Sequence, residues 1–153
     1  MLIRQAKLHQ QLLSPAYALF CSHRHIAWQK KTFETAYNAS HSLVAVDKKN
    51  KQLCAYLLAR SNLDELEIDD IAVLPHMRQQ GLAARLIAAL ISQAEIDNPD
   101  HLIRRILLEV DVKNMAAIKL YQKHKFQQIG TRKNYYKLAN GHFSDAMVLA
   151  LEI

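Results

Sequence analysis

The sequence predicts a mixed α/β fold, an α+β sheet with helices on both of its faces. Three observations lead there. Apolar periodicity runs in the order strands, helix, strand, helix, strands. The segment Arg105–Val112 is apolar almost throughout, as suits a central strand covered on both sides. Gln80–Ile96 places Leu82, Leu86 and Leu90 on one side, flanked by Ala83, Ile87 and Ala94, which is the stripe of a helix laid on a sheet.

The elements follow in order. Leu2–Ala6 reads as a short strand and Leu8–Cys21 as a helix, interrupted or restarted near Ser14-Pro15, where serine can cap and proline can open a helix. Gln29–Tyr37 is a second helix. Ser42–Asp47 and Gln52–Arg60 are strands joined by the polar turn Lys48–Lys51, a hairpin signal. Leu63–Leu74 is a long strand. The helix Gln80–Ile96 ends at Asn98-Pro99-Asp100. After the strand Arg105–Val112, Asn114 caps a helix running to about His124. Phe126–Thr131 and Ala146–Leu151 are the last strands.

Composition limits the partners. The 153 residues suit one domain spanning 1–153, since domains most often hold about 100–150 residues. Twenty Lys and Arg against fourteen Asp and Glu give a net charge of +6, which favours acidic partners such as cofactor phosphates. The basic residues are scattered rather than striped along one helix, so a solvated basic surface is expected and nucleic acid is not. No stretch approaches the roughly 20 apolar residues that cross a bilayer, so no membrane partner is expected. Arg4, Lys7 and His9 precede any long apolar run, which does not read as a secretory signal. Cys21 and Cys54 lack metal-like spacing and fit a reducing, cytoplasmic setting.

The candidate site begins at Val73–Ile87. A strand runs into Pro75, a basic, amide-rich turn follows, and Gly81 opens a helix. The first amides of a helix lack intrahelical partners and sit at its positive end, which suits a phosphate anion. Gly81 lets an anion approach the backbone, and Arg78 adds a cation at the rim. An ordinary helix entry explains the same residues equally well.

Glu109 stands at the far end of an apolar strand, on one face with Leu107 and Asp111. Partial desolvation there should raise its pKa toward the range of a general base. Tyr121, on the next helix, is either a core aromatic or a proton donor aimed into the crevice. Asn114 is either only an N-cap or also a ligand contact. Glu67, Asp69 and Asp70 form a second acidic set, with Glu67 and Asp69 on the face of Ile71 and Val73; they bind an ammonium, position water or are surface charges. His23, His25, His76, His101, His124 and His142 are scattered, so no metal is expected. Neither Ser14 nor Ser144 sits in a nucleophile elbow, and no cysteine lies near a plausible histidine.

Together, Ile71–Pro75, Arg78-Gln-Gln-Gly81-Leu-Ala83, Leu108-Glu-Val110, Asn114–Tyr121 and Phe126 resemble the GCN5-related N-acetyltransferases (GNAT). The tail Arg132–Tyr136, Gly141 and Asp145–Leu151 resembles more narrowly the RimI type, which acetylates the N-terminal alanine of a ribosomal protein. Ala27–Phe33 is similar to that type's early helix. The resemblance implies a mostly antiparallel sheet with a V-shaped splay between two central strands. It implies acetyl-CoA, held by Ile71, Ala72, Val73, Arg78, Gln79, Gln80, Gly81, Leu82, Ala83 and Asn114, with Glu109 as general base and Tyr121 as general acid. Glu67, Asp69, Tyr135 and Tyr136 would border the acceptor, a protein or peptide N-terminus with a ribosomal protein as the candidate. The alternatives are a lysine side chain or small amine as acceptor, an upstream acid as base, or a non-catalytic acyl-CoA-binding module. Three positions depart from the pattern. Ala83 stands where glycine is frequent, Lys125 replaces a glycine and implies a differently shaped turn, and Asp111-Val-Lys113 replaces a stretch that usually carries arginine and serine.

Overall fold

In the computed structural model, residues 1–24, 27–96 and 102–153 are described. The elements in chain order are β1 (Leu2–Gln5), α1 (Leu13–His23), α2 (Lys30–Tyr37), β2 (Leu43–Val46), β3 (Leu53–Asn62), β4 (Glu65–Val73), α3 (Leu82–Ile96), β5 (Arg105–Asp111), α4 (Met115–Lys123), β6 (Gln127–Lys137) and β7 (Phe143–Glu152). The strands form one seven-stranded sheet in the order β1-β2-β3-β4-β5-β7-β6. Every pairing is antiparallel except β4 with β5.

Helices cover both faces. Leu82, Leu86, Ile87, Leu90 and Ala94 of α3 and Ile118 and Tyr121 of α4 pack on one face. Ala16, Leu19 and Phe20 of α1 and Phe33, Ala36 and Tyr37 of α2 pack on the other. Each large apolar side chain buried there contributes about 1.5–3 kcal/mol relative to exposure. The α1–α2 face is aromatic: Phe33 lies 5.1 Å from Phe20 and 5.8 Å from Tyr56.

Several expected boundaries move. The first helical segment breaks into 3-10 turns at Ala6–Leu8 and Gln10–Leu12 before α1 begins at Leu13. No side chain caps α1, so Ser14 lies in the first turn instead of capping it. Pro15 is tolerated there because its missing N–H would have had no intrahelical acceptor. β6 runs on to Lys137, well past Thr131. The expected stop at Asn98-Pro99-Asp100 lies outside the described residues. The Lys48–Lys51 hairpin forms as expected, with Asp47 Oδ1 accepting from the Lys49 amide at 2.6 Å.

Lys125 overturns one expectation. The turn after α4 keeps the shape that glycine favours: Lys125 takes φ +66°. The Phe126 amide bonds the Tyr121 carbonyl at 3.1 Å, and the Lys125 amide bonds Gln122 at 2.9 Å. Those two bonds define a Schellman cap, and Phe126 closes it apolarly against Tyr121 at 5.8 Å. A lysine in left-handed backbone costs about 1–2 kcal/mol, and the apolar closure works against that cost.

Candidate active site

The site exists because β4 and β5 part. They pair only from Glu65–Ile68 to Arg105–Leu108. Beyond that point β4 stays with β3, and β5 stays with β7. A bulge starts the parting: Leu58 faces Asp70 and Ala59 faces Ile68, which leaves Asp69 as the extra residue on β4. The bulge also flips the strand. Leu66 and Ile68 belong to the α3–α4 face, yet Ala72 belongs to the α1–α2 face while Ile71 and Val73 pack with α3. Glu67 and Asp69 therefore do not share a face with Ile71 and Val73. Both bond Arg60 instead, Asp69 at 3.0 Å and Glu67 at 3.1 Å.

Past the bulge, the backbone of β4 serves the cleft. The Leu74 amide donates to Cys54 at 3.0 Å, so Val73, opposite Ala55, turns its N–H and carbonyl away from β3 into the splay. Arg78 Nε donates to that carbonyl at 3.2 Å and bends the following turn back over the strand. A cavity of about 420 Å³ results, lined by Ile71, Ala72, Val73, Arg78, Gln79, Gly81, Leu82 and Ala83 among others. Gln80 is the one expected cofactor residue of this turn that does not line it; its side-chain amide donates to the His76 carbonyl.

The turn suits an anion. Gln79 and Gly81 take φ of +59° and +73°. A Cβ at Gly81 would meet nothing within 4 Å, so the backbone there is open. The first α-helical bond runs from the Arg85 amide to the Gly81 carbonyl, which leaves the amides of Leu82, Ala83 and Ala84 free of intrahelical acceptors. Main-chain N–H groups, a guanidinium and an apolar strand match the diphosphate and pantetheine of coenzyme A.

A second cavity of about 330 Å³ meets the first at His23 and Ile71. Glu109, Asn114, Tyr121, Tyr136, Asp69 and Asp70 all line it. Glu109 is the first residue of β5 beyond the paired segment, and its carboxylate is not isolated: Arg132 Nε lies 2.6 Å from Oε1. Tyr121 is buried, and its hydroxyl has no hydrogen-bond partner among the described residues. Burial, with Asp70 and Tyr136 nearby, pushes its pKa well above the usual phenol value, so the proton stays on. Burial also lifts the Tyr136 phenol to about 12; that hydroxyl donates to the Glu109 carbonyl at 3.1 Å. Asn114 caps α4, its Oδ1 accepting from the Ala117 amide at 3.2 Å, and lines the second cavity, not the first. Tyr135 is half exposed, and its hydrogen bond to Glu109 raises its pKa.

Periodicity did not mark the polar floor of this cavity. Asp70 accepts from Arg24 Nη2 at 2.5 Å, from Tyr56 Oη at 2.5 Å and from His23 Nε2 at 3.2 Å. His23 Nδ1 faces the Leu19 carbonyl at 2.8 Å. Both imidazole nitrogens thus face acceptors, which only the doubly protonated ring satisfies. Burial alone would lower the His23 pKa, but Asp70 outweighs it and the pKa rises. Burial also works against the Asp70 charge, yet the His23, Arg24 and Tyr56 donors hold that carboxyl below its usual range. The β-bulge that aims Asp70 inward leaves no trace in residue spacing. His25 and His101 lie outside the described residues; among the described residues no cluster could hold a metal.

Comparisons with known proteins agree with this geometry. Residues 8–126 match the model of the acetyltransferase (GNAT) family. The [ribosomal protein bS18]-alanine N-acetyltransferase of Haemophilus ducreyi is 32% identical over 126 residues, covering 82% of this chain and 83% of that protein. The Escherichia coli K12 protein of the same name is also 32% identical, over 82% and 81%. The crystal structure of the ribosomal-protein-S18-alanine N-acetyltransferase from Escherichia coli superposes with a TM-score of 0.85 at 29% identity, covering 99% of this chain and 93% of that one. Arabidopsis thaliana NAA60 in complex with acetyl-CoA shares the fold, with a TM-score of 0.86 at 19% identity over 99% and 98%. The chain belongs to the GNAT family: it is an N-acetyltransferase, and acetyl-CoA is its donor.

Proposed function

We propose that this enzyme acetylates a protein N-terminal α-amine, as its bS18-alanine N-acetyltransferase relatives do by name, with the N-terminal alanine of that ribosomal protein as the first acceptor to test. The observation that carries the reading is one cavity holding both Glu109 and Tyr121 and sharing Ile71 and His23 with the donor cleft. A binding module needs neither group. The amides of Leu82 and Ala83, with Arg78, hold the diphosphate, and Ile71–Val73 align the pantetheine. Bound acetyl-CoA supplies an acetyl thioester. Glu109 takes a proton from the acceptor nitrogen, and the Tyr121 hydroxyl gives one to the departing sulfur. Transfers of this kind contribute about 10²- to 10⁴-fold each.

The acceptor side offers carboxylates to an amine despite the net charge of +6. Asp69, Asp70, Glu109 and Asp111 line the cavity beside His23, Arg24 and Lys137. An α-amine, with a pKa near 8, is partly neutral at pH 7, whereas a lysine amine near 10.4 asks more of the base. Thiol release should be fast with peptides bearing a free N-terminal alanine and slow with N-blocked peptides bearing lysine. Equal rates on both would remove the preference. Glu109→Gln should lower kcat by about 10²- to 10⁴-fold with acetyl-CoA affinity unchanged; an unchanged kcat would pass the base role to another group.

A further inference from the structure

The β6–β7 ribbon carries a bulge whose residues converge on Glu109. Arg132 pairs with Ala146 and Tyr136 with Ser144, so residues 133–135 of β6 oppose Asp145 alone. Asn134 sits at φ +53°. Asp145 anchors the arch from below: Oδ1 accepts from the Asn134 amide at 2.9 Å, and Oδ2 accepts from Lys133 Nζ at 2.7 Å. From the arch, Arg132 reaches Glu109 Oε1 at 2.6 Å. Its guanidinium lies 5.5 Å from the centre of the Tyr135 ring, Tyr135 meets Tyr136 edge-on at 5.0 Å, and Tyr136 bonds the Glu109 backbone. The Glu109 side chain is only 15% exposed, so the arch decides which way its carboxylate faces.

We propose that Arg132 is a positioning residue for acetyl transfer: through its ion pair it holds the Glu109 carboxylate in place to meet the acceptor nitrogen. The inference rests on Glu109 acting as the base. Two features of the geometry point to positioning instead of acceptor binding. Arg132 Nε already pairs with Glu109 Oε1. The Tyr135 ring holds the guanidinium on a second side, so the ion pair is fixed within the arch. Arg132 itself touches no reacting atom. It acts on rate through the base, and the Asp145-anchored arch acts through Arg132.

The test is steady-state kinetics on Arg132→Gln, Arg132→Lys, Glu109→Gln and the Arg132→Gln/Glu109→Gln double variant, with N-terminal alanine peptide and acetyl-CoA. Because Arg132 is 61% exposed and its ion pair is partly screened, its removal should lower kcat by about fivefold, the upper end for such a pair. The KM values of both substrates and the melting temperature should stay put. Arg132→Lys should recover part of the rate, and methylguanidinium added to Arg132→Gln should recover part as well. The double variant should be no slower than Glu109→Gln, because the arginine acts only through that carboxylate. A raised acceptor KM with unchanged kcat would make Arg132 an acceptor contact and overturn the inference. So would wild-type kcat in Arg132→Gln beside a slow Glu109→Gln, which leaves the base assignment standing. Wild-type kcat in Glu109→Gln overturns the base assignment itself.

Discussion

Replacing Asp70 by asparagine should destabilise this protein more than its single-atom change suggests. The carboxylate is 6% exposed and takes hydrogen bonds from Arg24, His23 and Tyr56. Arg24 can only donate, whereas the Tyr56 hydroxyl can also accept. An asparagine can therefore keep its carbonyl toward Arg24 and its NH2 toward Tyr56, but it leaves two cations sharing no counter-charge. Removing one partner of a buried pair costs about 3–5 kcal/mol. The Arg24 and His23 side chains are 30% and 25% exposed, so water relieves part of the loss and the low end applies. About 3 kcal/mol corresponds to a fall in melting temperature of roughly 6–12 °C for a chain of this size. The pH dependence supplies the sharper reading. His23 has a raised pKa, so its contribution is complete below its ordinary value of 6.5 and fades as pH climbs through the raised value. Asp70 has a lowered pKa, so its contribution holds above its ordinary value of 3.8 and fades only as pH drops through the lowered one. Thermal unfolding followed by circular dichroism between pH 5.5 and 8.5 should show wild-type stability declining above about pH 6.5. The same decline should be absent in Asp70→Asn. A variant melting within about 2 °C of wild type, with the same pH slope, would refute the electrostatic account of this cluster.

Two further outcomes follow from the cleft. Tyr121→Phe should lower kcat by about 10²- to 10⁴-fold while the melting temperature holds, because the ring still packs on Phe126 and the hydroxyl has no described partner to orphan; full activity would reduce Tyr121 to packing. Gly81→Val should weaken coenzyme A binding in calorimetry by about tenfold or more, since a β-branched residue resists the +73° φ that shapes the turn. Coenzyme A bound as tightly by that variant as by wild type would place the diphosphate elsewhere.

What residue spacing revealed and what it hid divide along one line. Local rules carried the α3 stripe, the Asn114 cap and the turn at Arg78–Ala83, because each depends on residues within one helical turn of one another. Glu109 and Tyr121 were legible because a carboxylate at the end of an apolar strand and a tyrosine on the next helix are both anomalies in their own neighbourhoods. The Asp70 floor was not legible, since His23 lies 47 residues from its partner. Nor was the Arg132 contact, because β6 is an exposed edge strand whose bulge breaks the period-two pattern that would have marked it. The same absence of alternation hid the extension of β6 to Lys137. Lys125 misled for a different reason: a composition rule about glycine was outweighed by the packing of Phe126 on Tyr121.

The inserted residue at Asp69 ties these pieces together. Were Asp69 a regularly paired strand residue instead of a bulge, the period-two alternation of β4 would run unbroken through it. Asp70 would then face α3 and α4, and Ile71 and Val73 would face α1 and α2. The apolar wall of the donor cleft would turn away from the helix whose free amides begin at Leu82, and a carboxylate would replace it. The parallel ladder would also have no reason to stop at Ile68 and Leu108, and Val73 would offer its N–H to β5 instead of to the cleft. One bulged residue therefore opens the splay, presents the backbone, and turns an ionised aspartate into the second cavity, where His23 and Arg24 hold it. The paired Asp70 charge contributes stability at the wall of the same cavity, which is why a variant that removes it should report on both the melt and the site.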